Sequence, residues 1–247
     1  MIRNLQVITL LIIILLVFVY GFFYISFNHT PSYLKWVNED LRSYFAKNFF
    51  LRRTLRLYQP GDARSDYFLA KQFTKLKVEV YESSYGALYP ASLELVKNGV
   101  DGVIKKPGGI KIEKKKIEQV PENVGDKFID KLADNFPKYS GNTAILRIYI
   151  LSVYETHPTL IGITAGAYSF VVFKSSIEDS SEILAIWEDL EQEAILHEIG
   201  HLLGARHSNY ENCIMNKIVD VPNRSFSSFI PTKYCFYDKE AIRLANI

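Results

Sequence analysis

The first hydrophobic pattern in the chain is an unbroken apolar run from Leu5 to Phe27. The run holds no charged residue, and its polar interruptions are Gln6, Thr9 and Ser26. As a helix it would extend roughly 35 Å, enough to cross a hydrocarbon core of about 30 Å. A cleaved signal peptide usually has an apolar region of about 7–15 residues followed by a small-residue cleavage site, and no such site follows here. The pattern therefore predicts an uncleaved transmembrane anchor over residues 1–28, with a cleaved signal as the alternative.

The charges that flank this run bear on its orientation. Arg3 and the short N-terminal tail favour a cytoplasmic N-terminus, whereas Lys35 and Arg42 follow on the other side. We expect the signal-anchor arrangement, which gives a single-pass membrane protein with the bulk of the chain outside the cytoplasm.

Apolar residues recur near helical spacing after Pro31 and give a second, amphipathic pattern. This pattern predicts a juxtamembrane helical segment over residues 29–62 that packs on the folded domain. The nearby arginines leave a helix lying on the lipid surface as an alternative. The segment 58–62, YQPGD, is typical of a turn, so we expect a separate domain over residues 63–247.

Strand and helix patterns alternate through this domain. Alternating apolar and polar residues predict strands, and apolar residues at a period of about 3.6 predict helices. The expected strands are Lys75–Glu82, Ala144–Leu151, Ile161–Thr164 and Phe170–Phe173, and the expected helices are Val124–Phe136 and Glu182–Leu203. The segment Lys105–Glu118, with its lysine run, is expected to be a solvated surface hairpin. These elements predict an α/β or α+β layer structure with a mixed sheet.

Bulk composition narrows the classes of function. Of 247 residues, 48% are hydrophobic and 23% are charged, which favours a folded core over disorder. The formal net charge of +2 is small and favours neither a nucleic-acid nor an acidic partner, so no nucleic acid is expected. The two cysteines, Cys213 and Cys235, are too few for a disulfide scaffold or a four-thiolate zinc site. No pattern in the chain addresses its oligomeric state.

The segment HEIGHLLGARH, residues 197–207, carries the candidate chemistry. His197 and His201 stand four residues apart on one predicted helix, so their imidazoles project from the same face about one turn apart. Gly204 lies where that helix must stop, at a position that tolerates positive φ. The turn that follows lets His207 return as a third ligand.

Three neutral imidazoles suit one Zn²⁺ with a fourth position open to water, as in catalytic zinc sites. Zinc lowers the pKa of bound water to about 7, and Glu198 can take up the proton without coordinating the metal. The chain has five histidines and three fall in this pattern, which favours a metal site over unrelated surface or core histidines. A zinc site without catalytic activity is the alternative, and the presence of Glu198 speaks against it.

The same segment resembles the extended zinc-binding consensus of the metzincin clan, HExxHxxGxxH followed by a Met-turn. Downstream, the residues CIMN at 213–216 are similar to the Met-turn of archaemetzincins, in which a C-x-M triplet follows the third histidine. The resemblance implies a metzincin-like fold, with a mostly parallel twisted sheet, an active-site helix and a small C-terminal subdomain. It also implies that Met215 forms an apolar floor beneath the zinc, a role close to that of an ordinary core methionine.

The resemblance extends to two strands ahead of the active-site helix. Residues 160–163 and 169–175 are similar to the strands that precede this helix in the family. By that likeness Ile161, Gly162 and Ile163 would form the sheet edge that pairs with an extended peptide substrate.

The cysteines depart from the archaemetzincin pattern. Members of that family resemble one another in a second, four-cysteine zinc site, with one thiol directly after the third histidine. Here Ser208 takes that position, only Cys213 and Cys235 have counterparts, and Asp238 falls near the place of the last thiol. Two thiols cannot build that closed site, so one zinc is expected. A Cys213–Cys235 disulfide, which would agree with an extracytoplasmic domain, and two reduced buried thiols both stay open.

The expected function is that of a membrane-anchored zinc metallopeptidase, a hydrolase that cleaves a peptide or protein substrate at a membrane surface. One alternative is a zinc-stabilised, membrane-tethered domain that binds a partner without catalysis. Another is an amidase acting on cell-envelope peptides, which shares the chemistry and differs in its substrate.

Overall fold

The computed structural model describes residues 2–28, 41–135, 139, 141–180, 183–216 and 230–245. The chain divides into two compact units, residues 1–58 and 59–247. Each unit has a cluster of buried apolar side chains of its own. Residues 29–40, on which the prediction of a juxtamembrane helix partly falls, lie outside the described residues.

The first unit is helical. Its helices are α1 Ile2–Asn28, α2 Arg42–Lys47 and α3 Phe49–Thr54. The stretch Ile8–Phe27 of α1 has a mean hydropathy of 2.8 over its most apolar window, and its length and composition suit either a membrane span or a signal sequence. Phe27 at the end of α1 is buried against Ala46, Leu55 and Leu57, so the two short helices pack on α1.

The second unit alternates strands with helices. Its strands are β1 Lys75–Glu82, β2 Ile110–Lys116, β3 Asn123–Val124, β4 Thr143–Leu151, β5 Val153–Tyr154, β6 Gly162–Thr164 and β7 Ser169–Phe173. Its helices are α4 Arg64–Phe68, α5 Pro90–Lys97, α6 Gly99–Gly102, α7 Asp126–Ala133, α8 Lys174–Glu178, α9 Leu184–Leu202 and α10 Phe236–Ala245.

Five of these strands form one mixed sheet in the order β2-β1-β4-β7-β6. The first three pairings are parallel, and β6 runs antiparallel to β7 at the edge. In the register, Val78 of β1 pairs with Ile112 of β2 and Leu146 of β4. The central strand β4 is buried at almost every position, as expected for an apolar strand covered on both faces. The predicted mostly parallel α/β sheet is therefore confirmed.

Helices cover the two faces of this sheet. On one face, Ile129 and Leu132 of α7 pack with Tyr149, Leu151 and Phe173. From the other face, α9 packs on β6 and β7, and α5 packs on α9. This packing brings the C-terminal half of α9, which contains the first two histidines of the motif, to the edge of the sheet.

Two of the local predictions differ from the structure. The predicted surface hairpin over Lys105–Glu118 is wrong, because β2 is a strand parallel to β1. Parallel neighbours need a crossover, which α5 and α6 supply between these two strands. The predicted helix over Val124–Phe136 begins only at Asp126, since Val124 belongs to β3 and pairs with Tyr154 of β5.

The buried carboxylate of Glu79 forms ion pairs with three basic side chains of the sheet. Glu79 of β1 is 3% exposed. Its oxygens lie 2.8 Å from Lys77 Nζ, 2.6 Å from Lys115 Nζ and 3.1 Å from Arg147 Nε. Burial raises the pKa of Glu79, but the hydrogen bonds from the three cations outweigh it and lower the pKa to about 2. The carboxylate therefore joins β1, β2 and β4.

Replacing Glu79 with Gln should lower the free energy of unfolding at pH 7 by about 3 kcal/mol, because three cations lose their shared carboxylate. The folded-state pKa lies below the ordinary value of 4.5, so the contribution of Glu79 is present above that pH and is lost as the pH falls toward 2. Chemical denaturation of wild type and variant between pH 7 and pH 3 measures both effects, and the variant should show the flatter pH dependence.

Glu113→Gln is the matched control, because Glu113 is half-buried on the neighbouring strand and pairs with Lys111 at 2.9 Å. Its loss should change the free energy of unfolding far less than the loss of Glu79, because water screens an exposed ion pair. Equal destabilisation by the two variants would contradict the role assigned to Glu79.

Candidate metal centre

A tight reversal after α9 brings the third histidine of the motif back toward the helix. Gly204 has a φ of +92°, a left-handed conformation that glycine adopts without steric cost. Its N–H donates to the carbonyl of His201 at 3.0 Å, and the N–H of Ala205 donates to the carbonyl of Gly200 at 2.9 Å. These two bonds close the turn from which His207 returns.

The turn is also closely packed from outside. A Cβ atom at Gly204 would lie 3.0 Å from side-chain atoms of both Arg64 and Ala245. A Cβ atom at Gly61, where φ is +87°, would lie 3.2 Å from the Cα atom of Gly204 and 3.6 Å from the carbonyl oxygen of His201. The loop at the start of the second unit therefore lies directly against the turn.

The three histidine side chains meet at their Nε2 atoms. Each Nε2–Nε2 distance among His197, His201 and His207 is 3.1 Å. Nitrogens bonded to one tetrahedral zinc at roughly 2.0–2.1 Å lie about 3.3 Å apart, so the spacing fits three ligands of a single ion. His197 is buried, His201 is half-buried and His207 is exposed, which leaves the group accessible from one side.

Backbone carbonyls fix the protonation of two of these rings. His197 Nδ1 donates to the carbonyl of Ile214 at 2.7 Å, and His201 Nδ1 donates to the carbonyl of Ala205 at 3.0 Å. Each neutral ring therefore carries its proton on Nδ1 and presents a lone pair at Nε2. Burial lowers the pKa of His201, and this outweighs the hydrogen bond to Ala205, which raises it. The lowered pKa favours the neutral ring. Lone pairs that face one another repel, and a cation between them removes that repulsion.

Met215 packs against α9. Its side chain is fully buried, and a Cβ atom at Gly200 would overlap its sulfur. Its carbonyl accepts the N–H of Ser208 at 2.7 Å, directly after His207. The absence of a side chain at Gly200 is therefore what lets the methionine approach the helix between the two histidines.

Glu198 lies against the edge of the sheet. Its side chain is buried, and burial raises the pKa of its carboxyl to about 8, opposed by a hydrogen bond from the backbone of Thr164 in β6. A Cβ atom at Gly162 would lie 3.1 Å from Glu198 Cγ and 3.2 Å from Glu198 Oε1. Glycine at position 162 thus leaves the space that the carboxyl group occupies.

The edge strand β6 directs alternate backbone groups to its two sides. The carbonyl of Ile161 accepts from Phe173 and the N–H of Ala165 donates to Ser169, so residues 161, 163 and 165 bond to β7. Gly162 and Thr164 consequently direct their backbone groups away from β7. Within the described parts of the chain, no strand pairs with this outer side.

The segment after His207 is joined to the last helix. Cys213 and Cys235 form a disulfide, with Cα atoms 5.3 Å apart. Asp238 of α10 is 1% exposed and accepts the N–H groups of Ile214 at 2.9 Å and Met215 at 3.2 Å. In place of a second cluster of thiolates, the structure therefore has a disulfide beside a buried carboxylate.

The structure brings the three predicted ligand histidines together and places the other predicted residues around them. Glu198 belongs to the helix that carries the first two histidines, Gly204 belongs to the turn that follows it, and Met215 packs against the helix at Gly200. Of the predicted edge residues, Gly162 lies at Glu198, whereas Ile161 is fully buried and Ile163 packs on the cluster around Tyr149.

Sequence reasoning missed four contributors, namely the carbonyl of Ile214, the N–H of Thr164, the small size of Gly200 and the carboxylate of Asp238. The first two are backbone groups, which carry no residue-type signal. Asp238 stood near the place of a family cysteine, but its three backbone partners depend on a tertiary contact that spacing does not reveal.

The chain is similar in structure to several solved proteins. The archaemetzincin from Methanopyrus kandleri has a TM-score of 0.48 and 17% identity, with 71% of this chain and 97% of that chain covered. The archaemetzincin from Archaeoglobus fulgidus, solved with malonate, has a TM-score of 0.43 and 12% identity, covering 68% and 99%. Metalloproteinase-II from Bacteroides fragilis has a TM-score of 0.44 and 12% identity, covering 83% and 69%. No protein-family model and no curated protein sequence matches the chain.

Alanine at Gly200 should destabilise the second unit, although alanine favours a helix over glycine by about 1 kcal/mol. The new methyl group overlaps the Met215 sulfur and should lower the free energy of unfolding by about 1–3 kcal/mol. A double-mutant cycle with Met215→Ala, followed by thermal unfolding with and without zinc, measures the coupling. The double variant should be more stable than the sum of the single changes predicts. Simple additivity would contradict the contact.

Proposed function

We propose that this protein is a zinc-dependent peptidase that cleaves an extended peptide or protein substrate. The observation that carries the proposal is the convergence of three Nε2 atoms, at 3.1 Å from one another, beside the helix that also carries the buried Glu198. Neutral imidazoles whose protons are held on Nδ1 are ready to ligate, and the exposed side of the group leaves room for a substrate.

His197, His201 and His207 would hold the zinc ion. Bound there, zinc supplies a Lewis acid that acidifies a water molecule and polarises the scissile carbonyl. The carbonyls of Ile214 and Ala205 keep two of the rings in the ligating tautomer and orientation. The protein itself therefore sets the direction from which two of the three ligands approach.

Glu198 would act as the proton carrier of the reaction. Its carboxylate takes a proton from the attacking water as the water oxygen bonds to the carbonyl carbon, and delivers that proton to the amine as the carbon–nitrogen bond breaks. The Thr164 N–H orients the carboxylate, and the space left at Gly162 lets it reach this position.

The outer side of β6 would bind the substrate backbone. Gly162 directs its backbone groups outward and Thr164 its carbonyl, whereas the Thr164 N–H is bonded to Glu198. A peptide in extended conformation can pair with such an edge by main-chain hydrogen bonds. Because β6 has only three residues, the pairing would align a short stretch of peptide on either side of the cleaved bond.

We also propose that the activity lies at a membrane surface, on its extracytoplasmic side. The apolar stretch Ile8–Phe27 supports an anchor by length and composition. The disulfide between Cys213 and Cys235 supports an oxidising compartment for the second unit.

Replacing Glu198 with Gln should lower kcat by about 10²- to 10⁴-fold, because the proton carrier is lost while the shape is kept. The zinc content of the variant should equal that of wild type, since Glu198 is not a ligand. The measurement is cleavage of a quenched fluorescent peptide library by the full chain in detergent, with zinc determined by mass spectrometry. Glu188→Gln, on the same helix, is the matched control and should retain full activity. Equal cleavage by the Glu198 variant and wild type would leave a non-catalytic zinc domain as the function.

The full chain should remain in the membrane pellet after alkaline extraction, whereas a chain without residues 1–28 should be soluble. Protease added to intact cells should remove a C-terminal epitope tag, because the second unit lies outside the cytoplasm. A mature protein shorter by the mass of the apolar segment would show a cleaved signal instead. If the tag were removed only after the cells are lysed, the second unit would lie in the cytoplasm, opposite to the proposed orientation.

A further inference from the structure

A short turn between two ligand histidines and α10 is held from both sides. The carbonyl of Ile214 accepts the Nδ1 proton of His197 at 2.7 Å, and the carbonyl of Met215 accepts the N–H of Ser208 at 2.7 Å, one residue after His207. Any movement of this turn therefore changes the orientation of two of the three proposed ligands at once.

The other side of the turn is bound by a single carboxylate. Asp238 Oδ2 accepts the N–H of Ile214 at 2.9 Å and the N–H of Cys235 at 3.2 Å, while its Oδ1 accepts the N–H of Met215 at 3.2 Å. Ile214 is thus held at its N–H by Asp238 and at its carbonyl by His197. With Asp238 only 1% exposed, water does not compete for these donors.

Two further bonds attach the same region to the rest of the site. The disulfide joins Cys213, directly before Ile214, to Cys235, three residues before Asp238. The hydroxyl of Tyr234 donates to the carbonyl of Leu196, directly before His197 in α9, at 2.5 Å. The start of α10 is therefore connected to the turn by the carboxylate and the disulfide, and to α9 by Tyr234.

We propose that Asp238 is a positioning residue for the metal centre, and that the Cys213–Cys235 disulfide is the covalent part of the same clamp. The clamp keeps the Ile214 carbonyl where it orients His197, so the three Nε2 atoms are assembled before a metal ion arrives. The inference rests on the proposed function only in taking the three histidines as zinc ligands, and it does not require that the protein cleave peptides.

A purely local role for Asp238 makes a different prediction. An acidic residue in the first turn of α10, bonded to the N–H of Cys235, would stabilise that helix alone. Its removal would then lower thermal stability and leave zinc affinity unchanged. Zinc affinity is therefore the measurement that separates a positioning residue from a helix-stabilising one.

The experiment compares zinc dissociation constants of the full chain in detergent, by competition with a chromophoric chelator. Asp238→Asn keeps the shape of the side chain but faces an N–H donor with an NH2 group, and it should weaken zinc binding by about 10-fold. Glu240→Gln is the matched control, because Glu240 lies in the same helix and bonds to Arg243 at the surface. It should bind zinc as wild type does.

The double variant Cys213→Ser, Cys235→Ser should also bind zinc more weakly than wild type. Unchanged zinc affinity in folded Asp238→Asn would overturn the proposal.

Amide hydrogen exchange on the unmodified protein provides a second measurement, which decides the matter if Asp238→Asn does not fold. The amides of Ile214 and Met215 should already be protected from exchange without zinc, since the clamp precedes the metal. Protection that appears only with zinc would overturn the proposal. A wild type that binds zinc but cleaves no peptide would contradict the proposed function and leave the clamp standing.

Discussion

Repulsion between the Nε2 lone pairs of His197 and His201 is the constraint on which the arrangement of the histidine group depends. With their protons held on Nδ1 and their Nε2 atoms 3.1 Å apart, these two rings do not assemble by themselves, so the fold must hold each ring in place. Helix α9 fixes two of the rings by their four-residue spacing, and the reversal at Gly204 fixes the third. A cation relieves the repulsion, which means that metal binding and the stability of this region are coupled.

The sheet determines where Glu198 lies relative to the three histidines. Because α9 packs on β6 and β7, the residue after His197 faces the edge of the sheet rather than its centre. There Glu198 meets the backbone of Thr164 and the space left by Gly162. The antiparallel edge strand in an otherwise parallel sheet thus serves the site in two ways, since one of its residues makes room and another donates a hydrogen bond.

The features that the sequence predicted correctly are those determined by short-range geometry. The spacing of His197 and His201 on a helix and the glycine at its end follow from helix periodicity and from the φ value that a reversal requires. The order of the strands and the place of β2 depend on contacts distant in sequence. The lysines of β2 led to the prediction of a solvent-exposed hairpin. Instead, Ile110 and Ile112 pair with β1 in a parallel arrangement, and two helices form the connection between the strands. The role of Asp238 was not predicted for the same reason, because the backbone amides that it binds lie some twenty residues away in sequence.

The contact between Gly61 and Gly204 determines how the second unit can be detached from the rest of the chain. The loop at Gly61 touches the turn that returns His207, with no side chain between the two backbones. A proteolytic cut before Gln59, where the unit begins, would shed a domain with this contact intact. A cut a few residues later would release a domain in which the Gly61 loop no longer packs against the turn at Gly204. The place of cleavage would therefore decide whether the three histidines of the released fragment stay assembled.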